Sequence, residues 1–366
     1  MKFLERTLKQ ILGTILRVVS PRERIPIPDP FRVARILVVR QHNQLGDMLC
    51  VVPLLRALRA TYRSASITLM ASPVSVDVMR GHATVDAIMN FDKRALLGVR
   101  SCVSLISDLR KRRFDIVLVP MTVSMSFTSC LLAFLSGGRM RIGAGKIDGK
   151  ENAVGAFFTN PVDLDWRSDH HRHQTLRNLD TARDLSLHDI DLRSEIFLSE
   201  QEQREGDTVV RKEMAGRKYA IAFHPGAGKM PNRWPADRFA ATANELAAIF
   251  HARIIITKGP MDDAPVAEMI RGLHEEPAIV ENRPIREVAA ILAQVRLVIS
   301  NDTGIMHVAA AVGVPVLSLF GPTDPLQWAP MAEMHRFICA GPDIRSISIE
   351  EVIWNAKEML KSKKME

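Results

Sequence analysis

The chain has 366 residues, more than one ordinary domain holds and comfortable for two. Hydrophobic residues make up 47% and charged residues 25%, which excludes wholesale disorder. Lys and Arg exceed Asp and Glu by 8, a balance suited to an anionic partner such as nucleic acid, an acidic membrane surface or a phosphorylated substrate. The four cysteines (Cys50, Cys102, Cys130, Cys339) contain no CxxC pair, which excludes a disulfide scaffold and a cysteine-based zinc site and suits a reducing cytoplasm. No apolar run reaches the roughly 18–20 residues needed to span a bilayer.

Residues 1–31 form an arm unlike the rest. Phe3, Leu4, Leu8, Ile11, Leu12, Ile15, Leu16 and Val19 recur at helical spacing, and Lys2, Arg6, Lys9 and Arg17 share the remaining surface. Lys9 and Gln10 interrupt what would be the apolar core of a signal peptide, so the arm does not read as one. Two readings are open: a helix packed on the protein body, or a basic amphipathic helix on the cytoplasmic face of a membrane. Ser20–Phe31 carries four prolines and reads as an extended linker.

From Arg32 onward, short apolar runs alternate with helical stretches. Arg35–Val39 reads as a buried strand and Asp47–Tyr62 as a helix, with Pro53 kinking it or delaying its start. Ile67–Ala71, Ala87–Phe91 and Asp115–Val119 read as further strands. Trp166–Glu205 is polar, His-rich and helical in pattern, and is expected to hold a hinge. The rhythm restarts at Tyr219–Phe223 and continues through Arg253–Thr257, Ala278–Val280, Leu297–Ser300 and Val316–Phe320, with a final helix over Ile347–Leu360. Two such series predict two α/β domains with parallel sheets, and a ligand cleft between them at the carboxyl ends of the strands. The expected division is 1–31 arm and linker, 32–205 first domain with hinge, 206–345 second domain, and 346–366 C-terminal helix.

Three loops follow strands where chemistry is expected. In Arg40–Asp47, Gly46 permits a tight approach and Asp47 has two roles open: general base, or cap of a helix beginning at Met48. In His224–Pro235, glycines Gly226 and Gly228 with Lys229 and Arg233 face a helix whose first turn is expected to hold Pro235, an arrangement able to bind phosphates. In Ile299–His307, a strand ends at Ser300 and a small-residue helix opens near Gly304. Asp302 or Thr303 is expected to cap that helix, and its free amides favour a diphosphate. His307, one turn after Thr303, either touches the same phosphate or is a hydrogen-bonded core histidine. His170, His171 and His173 cluster without a partner Cys or acidic pair at ligand spacing, so no metal and no cofactor are expected. Aromatics at 5% with no interleaved basic stripe argue against nucleic acid.

Together, Arg35–Arg40 with Gly46–Leu49 and Pro53–Leu58, His224–Ala227 with Arg233–Pro235, Ser300–Gly304 with His307, and Phe320–Pro325 resemble glycosyltransferase family 9, the ADP-heptose:lipopolysaccharide heptosyltransferases. Arg141-Ile142-Gly143 resembles a further recurrent piece, and the likeness runs from about Arg32 to about Pro330. The resemblance implies a GT-B fold of two Rossmann-like domains, with the acceptor on the first and the nucleotide-sugar donor on the second. It also implies metal-independent inverting transfer by direct displacement. Asp47 matches the family's base, and Asp302, Thr303, Gly304 and His307 match its diphosphate segment. Asp262 or Asp263 stands where the family places an acid near the ribose. Many members carry Lys two residues before the Trp, where this chain has Asn232; Arg233 and Lys229 are neighbours able to supply the charge. The implied partners are ADP-heptose and an anionic glycolipid, met by Arg40 and by a basic stretch containing Arg139, Arg141, Lys146 and Lys150, which otherwise reads as a solvated loop. The implied place is the cytoplasm, on the inner face of the inner membrane if the arm binds there. A different donor or surface glycan, or a non-catalytic nucleotide-sugar-binding paralogue, are the competing readings.

Overall fold

The structure, a computed structural model, describes residues 24–362 other than 43, 97 and 121–122. The amphipathic stretch proposed for the N-terminal arm therefore lies outside the described residues. Residues 24–29, the described part of the linker that follows, have no regular structure up to a short turn at Pro30–Arg32. The Asn160 side chain grips it through Ile25, accepting from its N–H at 3.3 Å and donating to its carbonyl at 2.8 Å.

The chain divides into two compact units between Leu192 and Arg193. The first runs β1 (Arg35–Arg40), α1 (Leu45–Leu49), α2 (Val52–Thr61), β2 (Ser66–Ala71), α3 (Pro73–Met79), β3 (Ala87–Asn90), α4 (Val99–Lys111), β4 (Ile116–Leu118), α5 (Phe127–Leu135), β5 (Met140–Ile147), β6 (Lys150–Glu151), β7 (Asn160–Leu164) and α6 (Gln174–Thr181). The sheet order is β3-β2-β1-β4-β5-β6, with β7 also paired to β5. Apart from the antiparallel β5–β6 turn-back, the pairings are parallel. Chain order reverses between β1 and β4, so the loops leaving these two strands splay apart and open a crevice at the carboxyl edge. Ile36–Val39 are buried because helices cover both faces of a parallel sheet. The single helix expected over Asp47–Tyr62 is two helices. Pro53 sits in the first turn of α2, where its missing N–H costs nothing, and α1 ends at Leu49 before it. Strands β5 and β7 escape an apolar-run reading because Arg, Lys, Gly and Pro interrupt them. Much of the stretch expected to be helical between Trp166 and Glu205 has no regular structure, and Arg56 holds it there by donating to the Asp191 carbonyl at 3.1 Å.

The second unit runs α7 (Glu200–Glu213), β8 (Tyr219–His224), α8 (Ala236–Phe250), β9 (Ala252–Thr257), α9 (Asp263–Arg271), β10 (Ala278–Val280), α10 (Ile285–Leu292), β11 (Leu297–Asn301), α11 (Gly304–Ala311), β12 (Val316–Phe320), α12 (Pro325–Trp328), β13 (Arg336–Cys339) and α13 (Ile349–Ser362). Its sheet is parallel throughout, in the order β10-β9-β8-β11-β12-β13. The order reverses between β8 and β11. Beneath it lies a core built on Ile221, Phe223, Trp234, Phe239 and Leu319, onto which α13 packs through Val352 and Ala356. The C-terminal helix is thus part of this unit's core. So is α7, which straddles the expected 205/206 boundary: a Cβ at Gly206 would lie 2.3 Å from the Ala290 carbonyl, so only glycine lets α7 approach α10 this closely. Ser199 and Glu202 close a reciprocal capping box on α7.

Candidate active site

In the first unit, β1 delivers Arg40 to the crevice, and Asp47 stands in the first turn of α1. That helix begins at Leu45 with Gln44 at its N-cap, so Asp47 is not the cap of a helix starting at Met48: the start lies three residues earlier than expected. Arg40 is 4% exposed. One guanidinium nitrogen meets Asp47 Oδ1 at 3.0 Å and another donates to the Pro120 carbonyl at 3.1 Å, beyond the end of β4. A buried arginine needs such partners, and the pair fixes one carboxylate oxygen of Asp47. Gln41 is buried and donates to Ser126 and Ser129, while Ser72 and Ser75 donate to the His42 carbonyl. Gln41 Oε1 and His42 Nδ1 are buried with no protein partner. Burial, and then the Arg40 charge, hold the His42 pKa below the ordinary histidine value, so this ring is neutral at physiological pH. Arg141 donates to the carbonyls of Phe157 and Gly138, so part of its guanidinium has a structural duty. Lys146 pairs with Glu151 across the β5–β6 turn.

In the second unit, the loops leaving β8, β9, β11 and β12 meet at the carboxyl edge around the β8/β11 crevice. Asn301, fully buried at the end of β11, ties two of them together. Its Oδ1 accepts from the Trp234 N–H at 3.0 Å, and its amide donates to the carbonyls of Pro225 and Gly226 at 2.9 and 3.2 Å. His224 closes β8, with Nδ1 3.0 Å from the carbonyl and hydroxyl of Thr257 and Nε2 3.7 Å from Asp262. Burial drives its pKa down, keeping it neutral. Asp262, 6% exposed, accepts from the Gly259 N–H at 2.8 Å. A Cβ at Gly226 would fall 2.0 Å from this carboxylate, so glycine is required there, whereas Gly228 borders open space. Its neighbour Asp263 pairs with Lys258.

Asn232 is buried and donates to Asp302 Oδ2 and Thr323 Oγ1, each at 3.0 Å. Burial raises the Asp302 pKa, opposed by Thr323, Lys229 and Asn232. Arg233 donates through Nε to the Ala227 carbonyl at 2.8 Å, bracing the glycine loop. Pro235 is the N-cap of α8, one position ahead of the first-turn place expected for it, a shift within the ordinary uncertainty of helix ends. Thr303 occupies the N-cap of α11 but makes no side-chain cap bond, and neither does Asp302, contrary to the expected capping. Thr303 Oγ1 is buried with no protein partner. The opening amides of α11 are therefore left without a side-chain acceptor beside a buried, partnerless hydroxyl, and the Lys229 charge acts on the adjacent Asp302, an arrangement suited to an anion. His307 is buried, with its ring edge-on to Trp328 at 6.5 Å between centroids.

The structure brings Gly226, Lys229, Arg233, Asp302, Thr303, Gly304 and His307 to one edge of the second sheet. Asn301 and Thr323, which bind that edge together, carry no mark of this role in the sequence, because a strand-end Asn looks like any turn residue until its partners are seen. Asp-x-Asp pairs do occur at 163/165 and 189/191; Asp165 is paired with Arg167, and Asp191 with Arg56. Among the described residues, no three or more of His, Cys, Asp and Glu gather as a metal-holding group.

The sequence profile of glycosyltransferase family 9 (heptosyltransferase) matches residues 102–351. The chain belongs to glycosyltransferase family 9. It is a glycosyltransferase with two parallel-sheet Rossmann-like domains of the GT-B type. Lipopolysaccharide heptosyltransferase 3 of Escherichia coli K12 is 25% identical over 304 residues, covering 79% of this chain and 83% of that protein. A family 9 glycosyltransferase from Veillonella parvula superimposes with a TM-score of 0.79 at 22% identity, over 92% of this chain and 99% of that one. The Escherichia coli ADP-heptose lps heptosyltransferase II gives 0.75 at 22% identity, over 90% and 99%.

Proposed function

We propose that this family 9 enzyme transfers heptose from ADP-heptose to the inner core of lipopolysaccharide, at the cytoplasmic face of the inner membrane. The observation that carries the reading is the α11 N-terminus, free of a side-chain cap and next to the buried, partnerless Thr303 hydroxyl. Two named relatives, a lipopolysaccharide heptosyltransferase and an ADP-heptose heptosyltransferase, support the choice of sugar and acceptor.

The chemistry is a single displacement with inversion. Asp47 takes the proton from an acceptor hydroxyl; the freed oxygen attacks the anomeric carbon, and the bond from that carbon to the diphosphate oxygen breaks. Arg40 fixes Oδ1 of Asp47 and so leaves Oδ2 to receive the proton. The α11 amides, Lys229, Arg233 and the Thr303 hydroxyl stabilise the departing nucleoside diphosphate in place of a metal. Asn232 orients Asp302 through its amide hydrogens, and cationic duty passes to Lys229 and Arg233. Acceptor anions meet Arg141 and Lys146.

Calorimetry with ADP-, UDP- and GDP-sugars, with and without EDTA, tests the reading. ADP-heptose binding indifferent to EDTA is the expected result. Preference for a UDP- or GDP-sugar rejects heptose while keeping the reaction class, and EDTA-sensitive binding rejects the metal-free diphosphate site. A second reading, a nucleotide-sugar-binding paralogue without transferase activity, draws on Asn232 standing where many relatives carry Lys; donor binding without any turnover would favour it.

A further inference from the structure

Between Asp92 and Arg113 the chain carries seven Lys and Arg against two acids, and the transfer chemistry uses none of them. Most of this segment is α4, a surface helix in which only Leu109 is fully buried. Val99 is 81% exposed and Val103 61%. Successive helical residues advance by about 100°, so Val99, Val103 and Arg110 fall within about 40° of one another along one stripe. Arg100 and Lys111 lie together on one side of that stripe, about 60–120° from its members, while Asp108 is turned about 140–180° away. Cys102 and Leu105, about 60–120° from Val99 on the side away from Val103, are half-buried toward the fold, and Ile106, about 20° from Val99, is half-buried at the stripe's edge. No ion pair joins Arg100, Arg110 or Lys111 to an acid among the described residues; Arg110 donates only to the Leu135 carbonyl at 3.3 Å.

A face that combines exposed valines with unpaired cations suits a boundary between water, phosphate and hydrocarbon better than water alone. Its position is informative. Asn90, the last residue of β3, is in register with Ala71, and Ala71 with Arg40. The segment leading into α4 therefore leaves the same sheet edge as Asp47, two strand spacings or about 10 Å across.

We propose that α4 is a membrane-docking helix. The Val99–Val103 stripe enters the headgroup–acyl boundary of an anionic bilayer, while Arg100, Arg110 and Lys111 contact lipid phosphates. The benefit of such docking rests on the proposed function: a lipid-linked acceptor is then met at the edge that carries the base. The docking itself does not depend on which sugar is moved.

The test uses the full-length protein and sedimentation with vesicles of phosphatidylcholine, alone or mixed equally with phosphatidylglycerol. Binding is expected only to the mixed vesicles and to weaken with added salt. Val99→Ser with Val103→Ser should weaken it at least tenfold, and Arg100→Gln with Arg110→Gln and Lys111→Gln on the order of 100-fold, about fivefold per cation. Both variants should keep wild-type circular dichroism and wild-type transfer to a water-soluble, delipidated acceptor. Equal binding by all three proteins overturns the proposal, as does equal binding to phosphatidylcholine alone. A valine variant that changes oligomeric state without losing vesicle binding assigns the stripe to a second copy of the chain and also overturns it. Absence of transfer by wild type would count against the proposed function and leave the vesicle result standing.

Discussion

Asp47 has one oxygen held by a buried arginine and the other available, which is the geometry a general base requires. Asp47→Asn keeps a hydrogen-bond acceptor for Arg40 but removes the proton acceptor. Transfer should fall by about 10²–10⁴-fold while the donor dissociation constant stays within about twofold, measured by steady-state kinetics and calorimetry. Wild-type turnover by this variant would remove Asp47 from the mechanism. At the proposed donor edge the decisive residue is Asn232. Its amide hydrogens are engaged by Asp302 and Thr323, so it contributes order and no charge. Asn232→Lys should tighten ADP-sugar binding by about tenfold, an order-of-magnitude effect for one added phosphate contact. Unchanged or weaker binding would indicate that Lys229 and Arg233 already neutralise the diphosphate.

Among the elements, the α7–α10 contact carries a charge clamp. Arg286 meets Glu202 through two nitrogens at 2.5 and 2.7 Å and also donates to the Phe197 carbonyl. The Arg286 guanidinium holds the Glu202 carboxyl down to about 2, from an ordinary 4.5. Because the folded value is depressed, the unfolded chain binds the extra proton first as pH falls. The stabilisation is thus complete above pH 4.5 and is lost toward pH 2. Its size, discounted for solvent screening, is on the order of 1 kcal/mol. Arg286→Met should lower urea stability of the second unit at pH 7 and flatten its decline between pH 4.5 and 2. An unchanged acid slope would show that Glu202 does not contribute to it. The strand–helix rhythm was readable for the buried strands, whose apolar runs announce themselves. It was not readable for β5, β7 and β13, which lie toward one side of their sheets and carry charged residues, glycine or proline.

The two units each own a sheet and a core, which predicts that whole-molecule unfolding is not two-state. Scanning calorimetry should resolve two transitions. A donor at about 100 times its dissociation constant should stabilise the second unit by about 2.7 kcal/mol, raising its midpoint by about 5–10 °C. An equal shift of both transitions would place donor contacts on both units or bind them into one cooperative block.

The two α/β series, the three loops at strand ends and the family are legible in the linear chain, because strand periodicity and loop composition are local. What individual side chains touch is set by contacts between distant segments. The Arg40–Asp47 pair depends on the Pro120 carbonyl of a neighbouring strand's loop. The Asn301 tie grips both ends of a loop 67 and 76 residues away along the chain. The exposed stripe of α4 emerges only when the other side of the helix is seen packed on the fold. Hydrogen-bond partners, burial and the face a helix leaves open are set by which segments meet in space, and one-dimensional spacing does not carry that information.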